Sequence, residues 1–177
     1  MSGEYKRLYF LHEGNDDLRF LREVVFPVFE ERGYHVTPYA YSQKRRKSIK
    51  NLLRSVNSMG ADYIYLADIN AHPCITAKKS SVGEELEPLV DMSRVVVVVR
   101  EIESWYLAGL DASGAGEIGV QSPHNTDSVT KEDFGRLQPA RFESRIEFMT
   151  EVLVRFKKET AKSKNRSFLY FSDNYLS

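Results

Sequence analysis

Runs of apolar residues alternate with helically spaced apolar positions over the first two-thirds of the chain. The last and clearest run, residues 95–99, consists of consecutive valines. Because it shows no alternation of apolar and polar residues, we expect both of its faces to be buried, as in the middle of a parallel sheet. The earlier strand-like runs cover residues 6–12, 34–41 and 62–67. This β-α-β-α-β-(α)-β-α order predicts a layered α/β domain with a mostly parallel central sheet.

Individual residues refine the boundaries of these elements. Asn15 is a favourable helix N-cap, and Pro27 should kink or divide the following helix near Phe26. Pro38 cannot donate a ladder hydrogen bond, so it places the second strand at a sheet edge. One or two helical turns are expected around residues 84–90.

The remainder of the chain predicts a helical appendage. Residues 111–129 are rich in Gly, Ser and Asn, and we interpret them as a loop. Their stretch from Gly114 to Gly119 matches G-x-G-x-x-G, but no strand leads into it, so a flexible connector is the better interpretation. From about residue 141, apolar spacing predicts a long amphipathic helix. We therefore expect an α/β domain over residues 1–110, followed by a linker and C-terminal helical extension packing on the core over residues 111–177.

Acidic residues follow three of the predicted strands. Glu13 comes after the first strand, Asp68 after the third, and Glu101 and Glu103 after the valine run. The carboxyl ends of parallel strands share one edge of a sheet, and ligands bind at that edge. Carboxylates gathered there would form an oxygen-rich site suited to Mg²⁺ or Mn²⁺. Acids at such positions also serve as first-turn residues that offset a helix dipole, and this structural alternative remains open.

Geometry separates the two glutamates after the valine run. If residues 101–110 are helical, Glu101 and Glu103 lie about 200° apart and cannot both face one ion. If the strand continues through Glu103, both lie on the same face. We favour Glu101 because it is nearer the strand end, and Glu103 is the second choice.

The charge of the chain restricts its contacts with polyanions. The 25 basic and 25 acidic residues cancel, whereas a general polyanion binder is usually basic. DNA or RNA would therefore have to be bound by a local patch. The densest one in the predicted α/β domain contains Lys44, Arg45, Arg46 and Lys47. These residues could hold a phosphodiester backbone, or they could form a solvated helix face.

Cysteine content and hydropathy indicate the cellular setting. Cys74 is the single cysteine, so no internal disulfide can form, which fits a reducing compartment. The chain opens without a basic-then-apolar leader, and no apolar run approaches the length of a membrane span. We therefore expect a soluble, cytoplasmic protein with no membrane partner. Whether it forms a homo-oligomer or binds a partner protein is left open.

Two short motifs resemble those of Toprim-type domains, which occur in topoisomerases, primases and the overcoming-lysogenization-defect nucleases. The Toprim pattern has a Glu, usually followed by Gly, after the first strand, and an Asp-x-Asp after a later strand. Glu13-Gly14 matches the first motif, and Asp68-Ile69-Asn70 matches the second except at Asn70. Glu101 to Trp105 also resembles the Glu-x-Glu-x-Trp stretch of an uncharacterised prokaryotic Toprim-like family, some of whose relatives sit in defence or restriction-associated loci.

The resemblance implies a Mg²⁺- or Mn²⁺-dependent nuclease or phosphodiesterase, and the loci of the related proteins suggest a role in a defence or toxin system. Glu13 would act as general acid/base or ligand, Asp68 and Asn70 would hold the metal, and Glu101 or Glu103 would supply a further ligand. Because Asn70 brings no charge, two alternatives remain open. One is a catalytically weak metal- or nucleic-acid-binding regulatory module. The other is a receiver-like phosphoacceptor domain, with Asp68 as the acceptor.

Overall fold

The computed structural model describes residues 6–177 and contains a parallel sheet flanked by helices. Within that range the sheet has four strands in the order β2-β1-β3-β4. The strands are β1 (Lys6–His12), β2 (Tyr34–Ala40), β3 (Asp62–Asp68) and β4 (Val95–Val98). The predicted α/β class with a parallel central sheet is therefore confirmed.

The two outer strands of this sheet contain Pro38 and the valine run, and the positions of both strands were predicted from these residues. Pro38 lies on β2 opposite Phe10 of β1, and β2 is an edge strand, as its proline predicts. All residues of β4 are buried, as expected. However, β4 is an edge strand of the sheet formed by residues 6–177 and does not lie in its middle, so that part of the prediction was wrong. An unbroken apolar run indicates cover on both faces, and it does not require a strand on both sides.

Helices of the first half connect the strands. They are α1 (Asn15–Phe20), a π-helical turn (Leu21–Val25), α2 (Phe26–Glu31), α3 (Arg46–Ser58) and α4 (Ile75–Leu86). Pro27 is the second residue of α2, which confirms the division near Phe26, because proline cannot donate a hydrogen bond to the preceding π-helical turn. Gly14, not Asn15, is the N-cap of α1, and its N–H donates to Asp17 Oδ2 at 2.7 Å.

Each face of the sheet is covered by a different set of helices. Phe10 of β1 packs on Phe26 and Phe29 of α2, with ring centroids 5.7 and 6.5 Å apart. Its neighbour Leu11 points to the other face, where it joins a buried cluster with Leu53 of α3 and other residues of α3, α4, β3 and β4. The alternation along β1 thus directs successive side chains into two apolar layers.

The chain forms two compact units, the first ending at Val97 and the second running from Val98 to Ser177. This boundary precedes the expected one at residue 110, because the helix after the valine strand groups with the C-terminal helices. The second unit contains α5 (Glu103–Ala108), α6 (Ala112–Ile118), α7 (Lys131–Leu137), α8 (Arg145–Val154), α9 (Lys158–Lys164), α10 (Arg166–Phe171) and a π-helical turn (Ser172–Leu176).

Helix α6 corrects the expected loop and flexible connector. The Asp111 side chain caps it by accepting the N–H of Gly114 at 2.8 Å. Gly119 ends it with a left-handed backbone, φ 76°, which glycine adopts readily. Ala115 and Ile118 bury the apolar side of the helix. Capping and burial therefore outweigh the low helix propensity of its glycines.

The predicted long helix is shorter than expected. Helix α8 spans Arg145–Val154, is capped by Ser144, and leaves Phe142 outside it. Ile146, which belongs to the apolar spacing that predicts the long helix, is 59% exposed and does not contribute to a buried face. Among the helices of residues 6–177, none combines the length and apolar character needed to cross a bilayer.

Candidate functional site

The strand order places a topological switch point between β1 and β3. The chain leaves β1 for β2 on one side and then crosses to β3 on the other side. In open α/β sheets, ligands bind in the crevice outside the carboxyl ends of strands at such a point. Glu13 directly follows β1, and Asp68 is the last residue of β3. Two of the acids that were predicted to follow strands therefore lie at this edge.

Direct contacts bring Glu13 and Asp68 together. The backbone N–H of Asp68 donates to Glu13 Oε1 at 3.2 Å. Ser42, just after β2, donates its hydroxyl to the Glu13 carbonyl oxygen at 2.5 Å. Glu13 is therefore held by Ser42, which follows β2, and by Asp68, which ends β3. The ends of the first and third strands therefore meet at the Glu13 carboxylate.

Tyr41 provides a further contact to the Glu13 carboxylate. Its hydroxyl lies 3.2 Å from Glu13 Oε1 and 2.8 Å from the carbonyl oxygen of Leu66. A hydroxyl has one proton, so the shorter bond to Leu66 dominates and the bond to Glu13 is shared. Among residues 6–177, Oε2 of Glu13 accepts no hydrogen bond, which leaves that oxygen for a ligand.

Two stacked tyrosines support this corner of the sheet. The rings of Tyr41 and Tyr65 lie 4.6 Å apart at an interplanar angle of 23°. Burial raises the pKa of Tyr41 well above its ordinary value, and the neighbouring Tyr65 and Glu13 raise it further. Burial also raises the pKa of Tyr65. Tyr41 therefore remains a hydrogen-bond donor to its acceptors at neutral pH.

His12 is buried immediately before Glu13. It is 1% exposed, and its Nδ1 lies 2.9 Å from the Gly14 carbonyl oxygen. Because a carbonyl can only accept, we assign the proton of the neutral ring to Nδ1. Loss of hydration lowers the pKa of His12, the Gly14 hydrogen bond opposes this shift, and the charge of Arg22 adds to it. The neutral ring is thus the folded form at neutral pH.

A lowered His12 pKa makes stability depend on pH. Below the ordinary value of 6.5, the unfolded chain binds a proton that the folded chain resists. The free energy of unfolding should therefore fall as the pH drops below 6.5 towards the pKa that His12 has in the folded protein. It should be regained as the pH rises above 6.5. In urea unfolding between about pH 5.5 and about pH 7.5, His12→Gln should show a smaller decrease than the wild type. Equal decreases in His12→Gln and the wild type would contradict the assignment. His35→Gln is the control for the loss of an exposed histidine.

A cleft of about 270 Å³ opens beside Glu13. Two residues of the predicted basic patch line it, Lys44 and Arg46, whereas Arg45 and Lys47 do not. Its remaining lining residues are Glu13, Tyr41, Ser42, Ile49, Tyr65, Lys78, Ser81, Val82 and Glu85. The cleft therefore combines Glu13 with three cationic side chains.

Sequence analysis missed the contribution of α4 to this cleft. Lys78 and Glu85 are seven residues apart, which places them on the same face of a helix. The helix was expected only near residues 84–90, so Lys78 had no assigned direction. The start signal is Cys74, whose sulfur accepts the N–H of Ala77 at 3.4 Å in place of a usual hydroxyl or carboxylate cap.

Asn70 has a backbone reason for its identity. Its φ is 51°, in the left-handed region where asparagine is tolerated better than most residues. Its side chain is exposed, and the turn around it is held by His72, whose Nδ1 lies 3.1 Å from the Ile69 carbonyl oxygen. The turn after β3 thus explains a short polar residue at this position without requiring a ligand.

The predicted metal centre has fewer acidic groups than expected. Among residues 6–177, no three or more His, Cys, Asp or Glu side chains are grouped so that they could hold a metal ion. Glu13 and Asp68 remain as neighbouring acids, with Asn70 two residues beyond. Two carboxylates and several water molecules form the kind of shell that Mg²⁺ uses when it binds together with a phosphate. The donor set fits such an ion only in that form.

Glu101 and Glu103 lie in the second unit, where each has a protein partner. Glu103 is the first residue of α5, is 3% exposed, and forms an ion pair with Arg145 of α8. Glu101 lies outside the helix and accepts the backbone N–H of Lys131 at 2.5 Å. The preference for Glu101 over Glu103 as a metal ligand stays a prediction.

Comparison of the chain with protein-family models, with curated proteins and with solved structures finds no match. The resemblance to Toprim-type domains therefore rests on the short motifs alone and stays a prediction.

Proposed function

We propose that the carboxyl edge of the sheet binds Mg²⁺ or Mn²⁺ and cleaves phosphodiester bonds of DNA or RNA. The observation that carries the proposal is the hydrogen bond that joins the Glu13 carboxylate to the backbone N–H of Asp68 at the switch point, next to a cleft that Glu13 lines together with cationic side chains. Carboxylates for a hard cation and cations for a phosphate are the two parts that phosphoryl chemistry needs. A cytoplasmic location belongs to the same proposal.

Each residue has a defined task in this proposal. Glu13 and Asp68 would hold the cation, which supplies neutralisation of charge on the phosphate and on the leaving oxygen. Lys44, Arg46 and Lys78 would bind the non-bridging phosphate oxygens, because ammonium and guanidinium groups form strong charge-assisted hydrogen bonds. Ser42 would fix the backbone of Glu13 so that its carboxylate keeps a constant position.

Substitution of Glu13 tests the proposal. Glu13→Gln keeps the shape of the side chain but removes its charge, so Mn²⁺ at millimolar concentration should no longer raise the melting temperature. Cleavage of single-stranded RNA or DNA should fall by about a hundredfold or more. Melting curves and a gel assay measure both effects, with Glu30→Gln on the exposed side of α2 as the matched control.

Two outcomes of that experiment separate the alternatives. Stabilisation of the wild type by Mn²⁺ without any cleavage would favour the regulatory module, which the neutral Asn70 also supports. No stabilisation and no cleavage would remove both the metal and the nuclease proposals.

A further inference from the structure

Two ammonium groups in the cleft beside Glu13 form no ion pair with any residue of the described range 6–177. Lys44 precedes α3, and Lys78 lies on α4. Both line the cleft, yet within residues 6–177 neither has a carboxylate oxygen within 4.0 Å of its nitrogen. Their charge is thus available to a ligand without breaking an existing pair.

The third cation of the cleft is held only loosely. Arg46 of α3 and Glu85 of α4 approach to 3.9 Å, and their side chains are 65% and 55% exposed. An exposed pair at this separation contributes little free energy. An anion in the cleft could therefore take Arg46 from Glu85. Glu85 would compete with that anion for the guanidinium group.

The size of the cleft limits what the cations can bind. A volume of about 270 Å³ lies just below the usual range for pockets that enclose a small organic ligand. It is large enough for a phosphate group and too small to enclose a chain of several nucleotides. The zero net charge of the chain also argues against a long electrostatic track for a duplex.

We propose that this cleft binds the phosphate of a single nucleotide unit through Lys44, Arg46 and Lys78, and that Glu85 weakens binding by competing for Arg46. The inference rests on the proposed function, since it assigns the substrate class of that same site. These three residues, here called the phosphate seat, lie just before α3, on α3 and on α4, and their binding of phosphate does not require the metal. Lys78, which lies outside the basic sequence patch, becomes a phosphate-binding residue.

Titration calorimetry with adenosine 5′-monophosphate in EDTA at low ionic strength tests the seat without metal or turnover. Lys78→Gln should weaken binding about tenfold, the effect of losing one charge-assisted hydrogen bond. Lys79→Gln removes the same charge one residue later, but its ammonium group faces the Met92 carbonyl oxygen at 3.3 Å, so it should bind as the wild type does. Glu85→Gln should tighten binding by about two- to fivefold.

The opposite signs of these effects make the result decisive. Absence of binding at millimolar nucleotide would overturn the inference. Equal weakening by Lys78→Gln and Lys79→Gln would also overturn it, because it would indicate only a general electrostatic attraction between the protein and the nucleotide. Weaker binding in Glu85→Gln would overturn the competing role of Glu85. Nucleotide binding in EDTA without cleavage in Mn²⁺ would reject the proposed catalysis and support the seat, whereas cleavage without nucleotide binding would do the reverse.

Discussion

Replacement of Trp105 with alanine is expected to destabilise the second unit by about 3–5 kcal/mol, the usual cost of deleting a large aromatic side chain from a core. Trp105 is fully buried on α5. Its ring stacks on Phe171 at 5.2 Å and meets Phe168 edge-on at 5.3 Å. Its Nε1–H donates to the Ser167 hydroxyl at 2.8 Å. Alanine would remove all three contacts and leave a cavity.

Two further variants separate packing from hydrogen bonding. Trp105→Phe keeps a ring but leaves Ser167 without its indole donor, and it should cost about 1–3 kcal/mol. Tyr170→Ala removes an aromatic residue that is 51% exposed, and it should cost much less. Urea unfolding of the full chain measures all three. A Trp105→Ala protein as stable as the wild type would show that α5 does not anchor the second unit.

The contacts of Trp105 also assign a structural role to part of the Glu-x-Glu-x-Trp motif. Ser167 connects the indole to Asn165, whose Oδ1 accepts the Ser167 hydroxyl at 2.8 Å and whose Nδ2 donates to Thr126 at 3.1 Å. Asn165 and Thr126 are both buried, and each finds its partner within this network. The tryptophan is thus a core residue at the centre of a satisfied polar network.

Local sequence signals were sufficient to predict the sheet and the position of Glu13 and Asp68 at its edge. Pro38 predicts an edge strand because proline has no N–H to donate to a neighbouring strand. Glu13 and Asp68 could be placed together because parallel strands deliver their carboxyl ends to one side of a sheet. That inference needs only the strand boundaries and the direction of the chain, which the apolar runs supply.

Features that depend on weaker or more distant signals were missed. Helix α6 was hidden by its glycines, since its stability comes from the Asp111 cap and from buried apolar residues. Lys78 joined the cleft only once α4 was known to begin at Ile75, after a cysteine cap. The partner of Glu103 lies 42 residues away, and local periodicity carries no information about such a pair.

Removing either partner of the Glu103–Arg145 ion pair is expected to cost about 3 kcal/mol. That value is the lower end of the range for buried pairs, because the Arg145 side chain is 29% exposed whereas that of Glu103 is 4% exposed. Arg145→Met should cost at least as much as Glu103→Gln, since it leaves a buried carboxylate without its guanidinium. It also removes a cation that lies 5.3 Å from the centre of the Phe134 ring.

The double variant Glu103→Met/Arg145→Met, measured beside the single variants Glu103→Met and Arg145→Met, decides what Glu103 does. If the pair acts as a unit, the double variant should be more stable than the sum of the single costs allows, because apolar side chains of similar volume replace both charges. Urea unfolding measures that coupling, with exposed Arg136→Met as the control for loss of an arginine. A metal-binding Glu103 predicts the reverse: little coupling to Arg145, and loss of Mn²⁺ stabilisation in Glu103→Gln alone. The ion pair with Arg145 leads us to expect the coupling and an unchanged Mn²⁺ response, so that Glu13 and Asp68 remain the acids on which the proposed metal binding depends.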